Sequence, residues 1–565
     1  NLALCVNPTV EYVKVCDDNN KKYIVSKDCV DNLKITVNKV EPYAIGNQLL
    51  GLEYEPLFDY MKRDCFKVIT GDFVEGSCKS GTGIVHLAPS FGMEDFETCI
   101  KHKIIEAYEI GNYCPIDDRG KYTSQIYDLE GKYVFDVNDE IIKKLKLKGS
   151  HLRTEGYKHN YPFCYRTDTP LIYRAVSSYF IKTTSLKENM QKNNEKINWH
   201  PKAAGDRYKT WLDNIQDWGI SRQRFFGTPI PIWESDDGEE QVVVGSIDEL
   251  VELANLTERP TDLHIEFMSK IEIPSKQGKG SLKLNGSIFD CWFNSACVPY
   301  GQIHYPFENQ HILNDQEYLS DFVCEGSDQV RLWFYVLNVL STALFNKPAF
   351  RDVVCTGIVY DENGNKFSKR LNNFKDPFII LEKFGSDTLR LYLLNSPLIN
   401  SNPLYFTEEN VDRVKQKLIP YINSVKFLLT QIIDFQDKGN QFILDYYKKS
   451  NVLTDKWIIS RLGSVLRYVE DKMMTYQMGK CIQKLIDFID DLTNWYIKFN
   501  RDRLRGLAGK EEWSISLSTL YFVLNNFIKI MTPFTPFLSE HLYQYINTID
   551  SKNKEESVLL LSYPN

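Results

Sequence analysis

Between about residue 205 and residue 400, apolar runs of strand length alternate with stretches of helical length, as in 321–344 and 351–394. A parallel neighbour is reached only through a crossover connection, so this alternation predicts βαβ units around a parallel sheet. The stretch 238–286 carries more turns and reads as a small insertion in that fold. Upstream, to about residue 200, short β-rich runs such as 66–74 are punctuated by Gly and Asn, with few helices between them. Beyond about 405 helical periodicity takes over. Ile482, Leu485, Ile486, Ile489, Leu492, Trp495, Tyr496 and Phe499 fall at spacings of three and four, one apolar stripe suited to a helix bundle. The expected organisation is a multidomain α/β chain: a β-rich domain over 1–200, a parallel α/β domain over 201–400 and a helical domain over 401–565.

A chain of 565 residues exceeds what one core usually supports, and no internal repeat or low-complexity tract breaks it up. Charge is mixed, with 67 basic against 75 acidic residues, so any contact with nucleic acid must use local patches. Thirteen cysteines without a Cys-x-x-Cys pair point to reduced thiols. Neither a signal peptide nor an apolar run of membrane-spanning length is present, which predicts a cytoplasmic protein with no membrane partner.

Two short segments carry chemistry. After the strand-like run Val353-Val354-Cys355-Thr356-Gly357-Ile358-Val359-Tyr360 and a turn at Asp361-Glu362-Asn363-Gly364 comes Lys366-Phe367-Ser368-Lys369-Arg370. Two ammonium groups three residues apart, with hydroxyl and amide donors between them, suit polyphosphate, because they can follow charge onto a departing pyrophosphate. A solvated basic turn is the plain alternative. Upstream, Cys324-Glu325-Gly326-Ser327-Asp328-Gln329 follows an apolar strand end and puts carboxylates and an amide at the carboxyl edge of a sheet, where open α/β folds bind ligands. An ordinary helix start capped by Ser327 or Asp328 fits as well.

Together with Asp217-Trp218-Gly219-Ile220-Ser221-Arg222-Gln223-Arg224-Phe225-Phe226-Gly227, these segments resemble the class I aminoacyl-tRNA synthetases. The run Gly227-Thr228-Pro229-Ile230-Pro231-Ile232-Trp233 resembles their isoleucine-specific branch, and Asp290-Cys291-Trp292-Phe293-Asn294-Ser295 and His304-Tyr305-Pro306-Phe307 resemble its eukaryotic cytoplasmic form. Asn1-Leu2-Ala3-Leu4 is similar to the segment after the threonine-rich peptide of the editing domain. Gly81-Thr82-Gly83-Ile84-Val85-His86-Leu87-Ala88-Pro89 is similar to that domain's second block, and Thr493-Asn494-Trp495-Tyr496 to the anticodon-binding helices.

The resemblance implies a β-rich editing domain, the second part of a Rossmann-like catalytic domain and an α-helical anticodon-binding domain. It implies ATP-dependent attachment of isoleucine to tRNA(Ile) through an isoleucyl-adenylate. Lys366, Ser368 and Lys369 would be catalytic, with Lys369 the stronger transition-state contact. Glu325, Gly326, Asp328 and Gln329 would hold the adenylate with Lys369, and Trp292 and Trp333 would wall the amino-acid pocket. Arg370 is either a phosphate contact or a solvated loop end. A hydrophobic pocket separates isoleucine from valine by only about 1–3 kcal/mol, and this pair is the usual illustration of that limit. Hydrolysis of mischarged valyl-tRNA is therefore implied too. Thr82, His86 and Asp95 match the editing residues, Asp95 for the α-ammonium group and His86 for either the hydrolytic water or the terminal ribose. Trp495, Lys498, Arg501 and Arg505, with Arg503 beside them, are expected to meet tRNA phosphates and splayed bases.

Mg²⁺ is expected to arrive with ATP, held by phosphates and water. No zinc site is expected: Thr167 stands where some relatives have the second Cys of a Cys-x-x-Cys pair, leaving His151, His159 and Cys164 short of a closed tetrahedral set. The remaining expectations are a monomer and no DNA partner. Several positions depart from the family pattern: Asn294 where an acid is usual, Ala296-Cys297 for Gly-Ser, Leu332 for Gly and Phe367 for Met. A diverged enzyme and a catalytically silent tRNA-binding paralogue both fit them. The valine or leucine enzyme fits 227–233 and Tyr305-Pro306 poorly, and a free-standing editing hydrolase would need neither the lysine loop nor the long helical region. Neither the family's His-x-Gly-His tetrapeptide nor its threonine-rich peptide occurs in these residues, so a longer protein is expected to supply them and this stretch alone to be inactive in aminoacylation.

Overall fold

The computed structural model describes residues 1–61, 65–77, 81–156, 158–164, 167–367, 373, 376–549 and 555–564. It divides into two compact units, Asn1–Ser178 and Tyr179–Asn565.

In the first unit the strand Ala3–Val6 runs between Lys67–Thr70, parallel to it, and Ile84–Leu87, antiparallel. Ala3 and Cys5 are fully buried and share a core with Ile69, Leu87 and Cys99, the last supplied by the helix Met93–Lys101. A second sheet has Glu11–Asp17 at its centre, antiparallel to Lys22–Ser26 and Val37–Ile45. Val13, Val15 and Val25 point inward at the period of two that strands impose. Val37–Ile45 lies at the edge, where Pro42, lacking an N–H, is tolerated.

The second unit is built on a parallel sheet in which Asp352–Thr356 lies between Phe322–Gly326 and Asn198–His200. Val353, Val354 and Cys355 are all buried, the mark of a central parallel strand covered on both faces. The helices Lys202–Asp213 and Trp333–Phe345 pack their Tyr208, Leu212, Phe334 and Leu337 into the same core. Residues 179–200, grouped with the first domain by their β-rich pattern, belong to this second unit: Phe180–Ile181 pairs with Trp218–Gly219, and Asn198–His200 joins the parallel sheet. The insertion folds as a small antiparallel sheet in which Ile232–Glu234 and Ser281–Leu284 are neighbours, with a core of its own around Trp233, Leu250 and Met268.

From Glu408 onward the chain is helical. Along Glu408–Asp437, Leu418, Tyr421, Val425, Leu428, Ile432 and Phe435 form one buried stripe at spacings of three and four. Lys510–Met531 is buried on nearly every side, as a central bundle helix must be, and two of its hydroxyls are satisfied within the helix, Ser516 donating to the Trp513 carbonyl at 3.0 Å and Thr519 to that of Ile515 at 2.9 Å, while Ser518 donates outside it to the Leu444 carbonyl. The bundle is joined to the α/β part by the helix Ser386–Leu394. There Asp387 accepts the Leu538 amide at 2.5 Å and Arg390 donates to the carbonyls of Pro533 and Phe534 at 3.1 and 3.3 Å. Among the described residues no helix is long and apolar enough to cross a membrane.

Candidate active site and nucleic-acid face

Parallel register fixes the first part of the site. Glu325 lies opposite Cys355 and Gly326 opposite Thr356, and the Thr356 hydroxyl donates to the Glu325 carbonyl at 3.4 Å. Both strands therefore end together, with Glu325 and Asp328 exposed at the carboxyl edge. A Cβ at Gly326 would come within 2.6 Å of an Asp328 carboxylate oxygen, so glycine leaves that carboxylate its place. Gln329 is engaged at both ends of its amide: Nε2 donates to Asp328 at 3.1 Å, and Oε1 accepts the Trp333 amide at 3.2 Å, starting the next helix.

Gly357 follows the central strand, and the carbonyl of Asn402 would sit 1.8 Å from a Cβ placed there, so only glycine admits this crossing of backbones. Val359–Tyr360 pairs with Leu404–Tyr405, and the chain turns at Asp361 so that Lys366 bridges back to Tyr360. The Asp361 carboxylate closes this neck. It accepts the amides of Asn363 at 3.0 Å and Asn365 at 2.7 Å and the side chain of Asn373 at 3.0 Å, and Asn373 also donates to the Lys366 carbonyl at 3.2 Å. Donation from Asn373 and the turn amides holds the Asp361 carboxylate below its usual range. Lys366 is exposed, whereas Ser368, Lys369 and Arg370 lie outside the described residues. Sequence reading took Asp361 for a turn residue; its Asx pattern of donors two and four residues on was the available signal.

Trp292 and Trp333 are linked through one short helix, Cys291–Ala296. Trp292 is its second residue, and the Ser295 carbonyl accepts Nε1 of Trp333 at 3.1 Å. Both rings pack at the margin of the central core. A cavity of about 530 Å³ beside Trp333 is walled by Val323, Leu319 and Pro299, among others, and Trp292 is not on its wall. Leu332 and Asn294, two of the departures from the family pattern, are exposed.

In the first unit Asp95 enters the first turn of Met93–Lys101 and accepts the Ala88 amide at 2.8 Å, which holds it against the end of the strand that carries His86. His86 is exposed and Thr82 half-buried. His151 pairs with the Thr154 hydroxyl at 2.8 Å and His159 with the Asn160 carbonyl at 3.0 Å, and among the described residues no cluster of His, Cys, Asp and Glu is arranged to hold a metal ion.

The helical region presents a second surface. Trp495, Lys498, Phe499, Arg501 and Arg505 are each exposed, with the Trp495 and Phe499 rings 5.5 Å apart. Arg503 is not part of it. Its guanidinium turns inward to Asp455 at 3.0 Å and Glu512 at 2.8 Å, and Asp455, fully buried, also accepts the Tyr496 hydroxyl at 2.8 Å and that of Ser450 at 2.5 Å. Burial pushes the Tyr496 phenol well above its usual value, so it stays a neutral donor.

Residues 19–404 match the profile of tRNA synthetases class I (I, L, M and V), and residues 455–565 match the anticodon-binding domain of tRNA ligase. The chain is 42% identical over 583 residues to the cytoplasmic isoleucine–tRNA ligase of Schizosaccharomyces pombe and 43% identical over 583 residues to that of Saccharomyces cerevisiae. Each of those alignments covers 100% of this chain and 54% of the relative. The isoleucine–tRNA ligase of Chlamydia abortus is 39% identical, over 100% of this chain and 53% of that protein. The chain thus spans about half the length of the curated relatives it matches.

Proposed function

The chain belongs to the class I tRNA synthetases, and on that premise we propose that it is part of a cytoplasmic isoleucine–tRNA ligase that activates isoleucine with ATP and transfers it to tRNA(Ile). In the first step the isoleucine carboxylate attacks the α-phosphate and pyrophosphate leaves. In the second, the 3′-terminal ribose of the tRNA displaces AMP from the adenylate. The observation that carries the reading is the common carboxyl edge: Glu325 and Asp328 leave one strand where its neighbour, through Thr356 and Gly357, leads to the neck that presents Lys366. Carboxylates there can take up ribose or ammonium donors, and the cations of the lysine loop can take up charge on the departing pyrophosphate. Mg²⁺ would be carried in by the ATP phosphates. Asp95, held beside the His86 strand, suits the ammonium group of a misattached valine, and the exposed Trp495, Lys498, Arg501 and Arg505 suit an RNA loop.

Isoleucine-dependent ATP–pyrophosphate exchange by the complete protein tests this. Exchange is expected with isoleucine, and Lys369→Ala is expected to lower it by about a hundredfold while sparing valyl-tRNA hydrolysis. Exchange with valine or leucine in place of isoleucine, or with no amino acid, would overturn the assignment and favour a sister enzyme or a silent paralogue.

A further inference from the structure

Asp290 stands at the junction of three segments, and its carboxylate is buried, with 5% of the side chain exposed. One oxygen accepts the Trp292 amide at 3.2 Å and so caps the helix Cys291–Ala296. The other accepts Nη2 of Arg222 at 2.6 Å and Nε1 of Trp218 at 3.2 Å. Its own amide donates to the Ile220 carbonyl at 2.7 Å, at the end of the pairing between Ser221–Arg222 and Ile288–Phe289. Arg222 is itself oriented by the Gly219 and Ser221 carbonyls at 2.8 and 2.9 Å. The Arg222 guanidinium is thus oriented before it reaches the carboxylate.

The helix capped in this way carries Trp292 by covalent position and holds Trp333 through the Ser295 carbonyl, the two tryptophans that the family resemblance gives to the amino-acid pocket. We propose that Asp290 is a positioning residue for the amino-acid pocket: by binding Trp218, Arg222 and the Trp292 amide at once, it sets the angle at which the Trp292–Ser295 helix offers its ring and its carbonyl. This rests on the isoleucine-activating reading above. An amide at this position cannot replace the carboxylate, because in either orientation its NH2 group meets a donor, the Trp292 amide on one side or the Trp218 and Arg222 pair on the other. The helix must then shift, and small misplacements of a binding group are strongly felt. Among the described residues neither the adenylate segment 325–329 nor Lys366 bonds to Asp290, so ATP binding is not expected to follow.

The test is steady-state ATP–pyrophosphate exchange by the complete protein carrying Asp290→Asn, with isoleucine and ATP varied in turn. The KM for isoleucine is expected to rise about tenfold while that for ATP changes by less than about twofold. Trp218→Phe, which removes one donor and keeps an aromatic side chain, serves should Asp290→Asn fail to fold, and is expected to raise the isoleucine KM about threefold by the same route. Equal rises in both KM values, or an unchanged isoleucine KM, would overturn the positioning role while wild-type exchange still upholds the enzyme assignment. A wild-type protein that exchanges with no amino acid overturns that assignment and this inference together.

Discussion

Replacing Arg503 by alanine separates a structural cation from its neighbours on the proposed RNA-facing helix end in a way that can be measured directly. Its guanidinium reaches Asp455 through both terminal nitrogens, at 3.1 and 3.0 Å, and Glu512 through Nε at 2.8 Å. The side chains of Arg503 and Asp455 are 14% and 0% exposed, so truncating the arginine strands a buried carboxylate. Breaking such a pair costs about 3–5 kcal/mol, and the lower end applies because Ser450 and Tyr496 still donate to Asp455. At about 2–4 °C per kcal/mol for a domain of this size, a loss of about 3 kcal/mol lowers Tm by about 6–12 °C. Far-UV circular dichroism on heating reads that shift, and tRNA binding at fixed salt provides the contrast. Arg501→Ala and Arg505→Ala, at exposed positions, should leave stability within about 0.5 kcal/mol and weaken tRNA binding, each reducing the slope of affinity on salt by about one unit. An Arg503→Ala protein that melts like wild type but binds tRNA less tightly would refute the inward assignment.

Other expectations follow from the same geometry. Lys366→Ala should slow isoleucine-dependent exchange by about tenfold or more with no change in melting, since the residue is exposed and its bonds among the described residues are made by its backbone, as read by exchange rate and calorimetry side by side. Gly357→Ala must push the Asn402 carbonyl away from a contact of 1.8 Å, at a cost of about 3 kcal/mol, visible as a lower urea midpoint. Burial raises the Asp387 pKa above its unfolded value, so its protonated form is favoured by folding. That contribution is full below about pH 4 and is lost as pH rises through the raised value. Asp387→Asn, which can still accept the Leu538 amide, should therefore flatten the fall of Tm with pH above about 4.

Where the sequence pattern carried through, one physical rule dominated. The parallel sheet was legible because Val353, Val354 and Cys355 are covered on both faces, and a run with no polar face has few other places to go. Glu325 and Asp328 were legible as edge residues because an apolar run gives way to carboxylates at the end of Phe322–Gly326 and just beyond it. Asp290 and Asp361 were not singled out, although both organise the elements around the site. Each sits where an aspartate ordinarily caps a helix or turn, and that local role is real: Asp290 caps the Trp292 helix and Asp361 its own turn. The additional partners come from 68 residues away for Asp290, at Arg222, and 12 for Asp361, at Asn373. Local pattern gives no sign of them.

The helical face shows the complementary failure, in which periodicity was right and winding changed. A stripe at three and four spacing assigns Trp495 and Tyr496 to the same apolar face, and Ile482, Leu485, Ile489 and Leu492 before them are indeed buried. Over Asp491–Ile497, however, the helix widens to π geometry. Each residue then advances through a smaller angle, so the position four beyond Leu492 moves into the core and the position three beyond it turns outward. Tyr496 is accordingly fully buried on Asp455, while Trp495 is 52% exposed beside Phe499 and Lys498. In the next helix Arg503 faces Asp455, whereas Arg501 and Arg505 are exposed. The change of helix type thus turns what reads as the end of a core stripe outward at Trp495, beside the exposed Phe499, while Tyr496 is held against the buried Asp455 that also binds Arg503.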